Sequence, residues 1–273
     1  SNTSADGDKL FGMASAGGCT RKAAGKFAGW EGEPFSGSTL FTFHIGHLLE
    51  CAGIASLRAC GYVIDGSQAA VTLPGLAHSY RDGLITGNTV ADFPALDTTR
   101  PVNLSIKTTG YKKSGQQRGK WIRQGFPALP FEGVRKQQPS WWVQAQMEMA
   151  AGPEQETLIL VVAKDIVKSM EGDPYMGENG SLTFYAELIE RDDWFIDKEL
   201  LPAQRTAFAA AQSGRPGAPM IYDPEKHAYV RLPKPGNPAW DANREVYAWN
   251  PCSYCDFVKP CREGFANEMR RPA

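Results

Sequence analysis

Neither sign of charge prevails in this sequence: 29 lysines and arginines face 30 acids in 273 residues, a formal net charge of -1 at pH 7. The balance rules out a uniformly basic surface. It does not rule out a polyanionic partner, because a local basic patch can act while the remainder offsets it. Also missing is any apolar run approaching the roughly 20 residues of a membrane-spanning helix, so no membrane association is expected. The first residues lack the charged, apolar and small-residue regions of a signal peptide, which makes an intracellular, cytoplasmic setting the expectation. In such a setting six cysteines are poorly explained as disulfides, and reduced core thiols or metal ligands fit better. No internal repeat, coiled-coil pattern or second core is visible, so one domain over residues 1–273 is expected, long enough to bury a sheet between helices.

What the chain does contain is the make-up of a globular protein, 42% hydrophobic and 11% aromatic. Residues 1–18 are small and polar and predict a loose start. A short helix is predicted from Cys19 through Trp30, closed by the Gly/Pro-rich interval to Ser38, where Ser38 or Thr39 can cap the next helix. Leu40, Phe43, Leu48, Cys51, Ile54 and Leu57 recur at helical spacing, which predicts an amphipathic helix to Cys60 with Cys51 and Cys60 as buried thiols. His47 and Glu50 lie three apart on it and can reach one site. Strands are predicted over 62–73, 77–86 and 102–108 as an antiparallel run, then a helix over 139–151. The apolar stretch 157–163 predicts a central strand, followed by a strand over 182–189, a helix over 194–212 and an irregular arm over 213–240.

Chemistry concentrates between Asp82 and Lys107. Val102, Leu104 and Ile106 alternate with Asn103, Ser105 and Lys107, so Lys107 is expected on the polar face of a strand. An aspartate that binds a hard cation, beside a lysine on a neighbouring strand, is the minimum apparatus for metal-assisted phosphodiester hydrolysis. Directly downstream, residues 109–138 carry Lys112, Lys113, Arg118, Lys120, Arg123, Arg135 and Lys136 against the single acid Glu132; seven minus one gives a local charge of +6. Trp121, Phe126 and Phe131 are interleaved with these cations. Phosphate neutralisation and base stacking on a single-stranded nucleic acid need that combination, and a solvated surface loop shares its composition. On the next helix Gln144 and Glu148 are four apart and share a face. Near the end, Cys252, Cys255 and Cys261 are spaced C-x2-C-x5-C, a ligand cluster short of its fourth member. Zinc is the generic reading of such a cluster, and four thiolates can equally hold an iron-sulfur centre.

Taken together these motifs resemble the iron-sulfur branch of the PD-(D/E)xK nuclease superfamily, which includes the RecB-like domain of AddB, CRISPR-associated RecB-type exonucleases and related phage exonucleases. The resemblance covers most of the chain. Its most specific part is one cysteine ahead of the core, Cys19, with the C-x2-C-x5-C tail after it; Cys51 or Cys60 are its rivals. The resemblance implies a mixed central sheet flanked by helices, the restriction-endonuclease-like α/β core, with segments 1–38 and 241–273 joined by a 4Fe-4S cluster on Cys19, Cys252, Cys255 and Cys261. Gly46-His47-Leu48-Leu49-Glu50 looks like the helical motif whose histidine meets metal, Asp82-Gly83 like the aspartate motif, and Ile106-Lys107-Thr108 like the strand motif. Asp92 is a rival for the aspartate, and Gln144 resembles the glutamine of the following helix.

The implied activity is metal-dependent DNA cleavage, exonucleolytic, on single-stranded DNA or DNA ends, in recombination, repair or phage DNA processing, with a helicase or recombination partner compatible with it. Magnesium or manganese would be held by His47, Asp82, Glu148 and the Ile106 carbonyl, with Lys107 and Gln144 completing the catalytic set and Lys112, Lys113, Arg118, Lys120 and Arg123 binding DNA. One departure matters. The family expects an acid two residues before the lysine, and Ser105 stands there. Lost activity, an altered residue or a migrated acid each account for it. Some restriction enzymes of the superfamily recruit a glutamate from the next helix, which points to Glu148 and favours migration. The alternatives are an inactive DNA-binding protein on the same scaffold and a zinc-stabilised nucleic-acid-binding module.

Overall fold

A computed structural model describes residues 10–32, 34–89, 96, 99–109, 115–117, 120–122, 129–163, 184–214 and 217–231. The first half begins with β1 (Phe11–Gly12), α1 (Thr20–Phe27) and α2 (Gly37–Ala59). Four short strands follow, β2 (Tyr62–Asp65), β3 (Ala70–Leu73), β4 (Ala77–Tyr80) and β5 (Gly83–Asn88), and then β6 (Val102–Thr109). A small hairpin, β7 (Gly115–Gln117) and β8 (Lys120–Ile122), precedes α3 (Leu129–Gln137), α4 (Pro139–Ala151), β9 (Glu156–Ala163) and β10 (Phe184–Glu190). Helices α5 (Asp193–Phe195) and α6 (Leu201–Gln212) run together through a π turn, and β11 (Met220–Asp223) with β12 (Ala228–Arg231) forms a last hairpin.

Five of these strands make the central mixed sheet, in the order β10-β9-β6-β5-β2. Strands β6 and β9 run parallel, with Ser105 opposite Ile159 and Lys107 opposite Val161, and the remaining pairs are antiparallel. A parallel neighbour cannot be reached by a tight turn, so the chain crosses over through α3 and α4 before returning as β9. Helix α2 covers one face. Gly53 lets it approach closely, since a Cβ there would stand 3.2 Å from Ile106 Cδ1 and 3.4 Å from Leu160 Cδ2. Beneath α2, Ile54 packs with Ile85, Val102, Leu104, Ile106, Leu158 and Leu160. Helix α4 covers the other face, where Val143, Met147 and Met149 pack with Ile159 and Val161. The result is an α/β core with a mixed sheet between helices.

Several expected boundaries shift for local reasons. The strand expected over 62–73 is split by a turn in which Gly66 and Gln68 take left-handed backbone, φ +59° and +60°. The strand expected over 77–86 breaks at Arg81 and Asp82, because Arg81 is pinned at Ala69 through backbone hydrogen bonding (Arg81 N to Ala69 O, 3.0 Å). Strands β3 and β4 thereby leave the central sheet and join β1 in a second one. Helix α2 starts earlier than expected, capped by Ser36, whose Oγ accepts from the Thr39 amide at 3.2 Å. Its apolar stripe is only half used: Leu40, Phe43 and Leu48 are exposed, and Cys51 and Cys60 are exposed rather than buried thiols. Helix α2 also has the length and mean hydropathy (1.3 over its most apolar window) of a membrane-crossing helix, contrary to the expectation of no such run, although Gly53 and Ile54 lay it on the sheet. The arm expected over 213–240 contains the β11–β12 hairpin in its described part.

Candidate active site

Strand β6 is buried on both sides from Val102 to Ile106, and Lys107 stands half-buried on its polar face. Val102, Leu104 and Ile106 point under α2, while Asn103, Ser105 and Lys107 face α4. Asn103 and Ser105 are 2% and 3% exposed, and only Lys107 nears the surface. Polar side chains in such a place must find partners or carry a desolvation cost. The Lys107 ammonium donates to Gln144 Oε1 at 3.0 Å, and Gln144 Nε2 donates to Glu148 Oε1 at 2.7 Å. Asn103 Nδ2 donates to Glu148 Oε2 at 3.0 Å and to Thr157 Oγ1 at 3.3 Å. The helical spacing of four aligns Gln144 with Glu148, and the strand spacing of four aligns Asn103 with Lys107, so two local periodicities set this chain of contacts.

Asp82 enters from the break between β4 and β5. Its Oδ2 accepts from the Ile106 amide at 2.6 Å, which fixes the carboxylate beside the residue preceding Lys107. Burial pushes the Asp82 carboxyl above its ordinary value, while the charge of Lys107, the Ile106 amide and His47 pull it back. Burial also raises Glu148, opposed by Lys107, Gln144 and Asn103, with the charge of Asp82 adding to the rise. The two carboxylates therefore share one electrostatic neighbourhood with a single lysine.

From the other side of the sheet, Gly46 of α2 passes over Thr108, where a Cβ would be 3.5 Å from Oγ1. That crossing brings His47 and Glu50 to the C-terminal end of β6. His47 Nδ1 is 3.7 Å from Glu50 Oε2, its side chain is 80% exposed, and Glu50 accepts from Gln68 Nε2 at 2.9 Å. Burial raises the Glu50 carboxyl, and the nearby charge of Asp82 raises it further. Glu50 thus belongs to the Asp82 neighbourhood. Its three-residue spacing from His47 was the sequence signal. Asn103 was signalled only by sharing the parity of Ser105 and Lys107 on β6.

Hard oxygen donors of the kind a divalent cation takes are present in Asp82 and Glu148, and a cation between two mutually repelling carboxylates would relieve that repulsion. The donor chemistry fits magnesium or manganese, which bind through one or two carboxylates and retain water. Among the described residues no three His, Cys, Asp or Glu side chains are grouped as a metal-holding cluster. Cys19 is described, at the N-cap of α1 and partly buried. Cys252, Cys255 and Cys261, with Asp92, Lys112, Lys113, Arg118 and Arg123, lie outside the described residues, as does the side chain of Lys120 on β8.

No protein-family model matches the chain, and no curated protein matches it. Among solved structures it is similar to an alkaline exonuclease, LHK-Exo, from Laribacter hongkongensis, at 15% identity over 63% of this chain and 69% of that one, TM-score 0.40. The same exonuclease in complex with dAMP aligns at 14% identity over 74% of this chain and 92% of that one, TM-score 0.41. A structure titled SSO0001 aligns at 9% identity over 92% of this chain and 85% of that one, TM-score 0.37.

Proposed function

We infer that the chain is a metal-dependent deoxyribonuclease on a restriction-endonuclease-like core, acting on single-stranded DNA or on DNA ends as an exonuclease of the PD-(D/E)xK type. The observation that carries this reading is the pairing of two fixed groups, Asp82 just ahead of β5 held by the Ile106 amide and Lys107 on the adjacent β6 held by Gln144. Asp82, Glu148 and the Ile106 carbonyl would hold magnesium or manganese, with His47 contributing from α2. Such an ion supplies Lewis acidity to the scissile phosphate and makes a bound water a better nucleophile. Lys107 carries a cation to the edge of the buried polar strip, suited to positioning the attacking water and to offsetting the charge that develops on phosphate. Gln144 sets the direction of that ammonium. Ser105 is buried where the motif would place an acid, and Glu148, bonded from α4 to Asn103 two residues earlier on the strand, is the carboxylate nearest in role.

The basic segment with Lys112, Lys113, Arg118, Lys120 and Arg123 follows β6 directly and would receive the DNA backbone. Cys19 with Cys252, Cys255 and Cys261 would hold a 4Fe-4S cluster of structural role. Brown colour and iron in anaerobically purified protein support that part; colourless protein with stoichiometric zinc overturns it. The catalytic reading is tested with end-labelled single-stranded DNA and manganese. Cleavage that vanishes in Asp82→Ala and Lys107→Ala is the expected result. Wild-type rates in either variant would remove the assignment. The burial of Ser105 favours one competitor, a catalytically inactive DNA-binding protein on this scaffold, and binding without cleavage in that assay would establish it.

A further inference from the structure

We propose that Asn103 is a positioning residue for Lys107, acting through Glu148 and Gln144; its catalytic consequence rests on the nuclease reading above. The argument starts from donor and acceptor chemistry. An ammonium only donates, so the Gln144 amide must turn its oxygen toward Lys107, which leaves its nitrogen to donate to Glu148 Oε1. The direction of the lysine is therefore inherited from Glu148. Glu148 is 3% exposed and thus shut off from bulk solvent. Its second oxygen is held by Asn103 Nδ2 at 3.0 Å.

Asn103 is in turn fixed from below. It stands directly opposite Thr157 in the β6–β9 register, and its Nδ2 donates to Thr157 Oγ1 at 3.3 Å. Thr157 is fully buried. The Asn103 amide adopts this orientation at a cost, because its buried Oδ1 finds no hydrogen-bond partner among the described residues. Turning the amide over would give Oδ1 the Thr157 hydroxyl as a donor but would set oxygen against a carboxylate. The orientation facing Glu148 is the one that gives its second oxygen a donor. A path thus runs from the centre of the sheet, Thr157 and Asn103, to Glu148 and Gln144 on α4, and back to Lys107 four residues along the strand on which it began.

The test uses Asn103→Leu, close in volume and without a donor, in the full-length protein. The first measurement is the rate at which an amine-reactive acylating reagent modifies Lys107, read by peptide mass spectrometry against the other lysines. Release of Gln144 should raise that rate roughly fivefold, the scale of one net hydrogen bond. In a Glu148→Leu background the same substitution should change nothing further, since coupled residues are not additive. The second measurement is cleavage of single-stranded DNA, where kcat should fall about tenfold with KM unchanged. Asn103→Thr, which keeps a donor on a strand-forming residue, should lie between the two and serves if Asn103→Leu does not fold. Unchanged labelling in a folded variant, or additive effects in the double variant, would overturn the proposal. A labelling shift in a chain that cleaves nothing would leave the relay standing and sink the nuclease reading instead.

Discussion

Lys107 donates to the side-chain oxygen of Gln144 at 3.0 Å, and this contact ties the C-terminal end of β6 to the helix that crosses over to β9. The bond is partly buried, so it orders a long flexible side chain that would otherwise sample many rotamers. Replacing Gln144 with Leu should leave the fold in place, because the site lies at the edge of the core, while Lys107 loses its direction. We expect cleavage to fall by about one to two orders of magnitude, as positioning groups of this kind contribute. The melting temperature should fall by a few degrees, because the buried Glu148 Oε1 loses its amide donor. A Gln144→Leu protein that cleaves like wild type would show that the lysine needs no such guide.

Glu148 gives a prediction with a sign. Its folded-state carboxyl is raised above 4.5, with burial as the first cause. A raised carboxyl binds its proton more tightly folded than unfolded, so stability is greatest below the ordinary carboxylate range. It declines as pH rises through the folded-state value, and above that value the burial cost is fully present. Glu148→Gln removes that cost. The variant should therefore melt about 2–4 °C higher at pH 7, the shift that ~1 kcal/mol produces in a chain of this size. The gain should disappear near pH 4. Melting curves across pH read this directly, and a stabilisation that persists unchanged in acid would contradict it.

How much of this could be read in the sequence follows from which signals are local. Period-two alternation located β6, and the separation of Gln144 from Glu148 gave their shared face, because both depend only on backbone geometry. The same alternation could not say that the Asn103, Ser105 and Lys107 face is covered by α4, since burial of a face depends on what crosses over it. The break at Arg81 and Asp82 escaped notice for a similar reason. It is imposed by the β3–β4 hairpin, whose pairing continues to Arg81 and Ala69, and by Arg81 Nη1 donating to Glu154 Oε1 at 2.7 Å, 73 residues away. Glu50 was visible as a neighbour of His47, but its electrostatic tie to Asp82 needed the crossing of α2 over Thr108. The cysteine cluster and the basic segment remain as the sequence presented them.

Gly83 couples stability to the position of Asp82. A Cβ at this residue would stand 2.7 Å from Ile64 Cγ2 and 3.3 Å from Leu104 Cδ2, so β5 must move away from β2 or β6 to admit one. Overpacking of this kind typically costs about 1–3 kcal/mol. Gly83→Ala should lower the urea midpoint accordingly and displace the adjacent Asp82 from the Ile106 amide, depressing cleavage further. Because the clash is with Ile64, truncating that side chain in the Gly83→Ala background should cost less than truncating it alone. Strict additivity in that pair of denaturation series would mean that the strand is strained elsewhere.

His227 anchors the terminal hairpin by geometry that ordinary turn residues do not supply. It sits at φ +53° in the turn between β11 and β12, a left-handed conformation uncommon for a side chain of this size. The contacts that hold it there are concentrated: Nε2 lies 2.9 Å from Asp192 Oδ2, Nδ1 lies 2.9 Å from the Tyr222 hydroxyl, and the ring stacks on Phe195 and Trp194 with centroids 5.1 and 5.5 Å away. Tyr222 in turn stacks on Trp142 of α4 at 5.3 Å, which carries the hairpin to the helix bearing Gln144 and Glu148. Burial pushes the Tyr222 hydroxyl up to about 12, so it remains a neutral hydrogen-bonding group at physiological pH. His227→Ala keeps the unfavourable backbone and loses every contact that compensates for it, and should cost about 2–3 kcal/mol. His227→Asn tolerates the left-handed turn and can keep one polar contact, so it should recover part of that loss. Hydrogen exchange at the β11 and β12 amides would locate the damage. Equal protection in the alanine and wild-type proteins would show that the hairpin is held by its strand pairing alone.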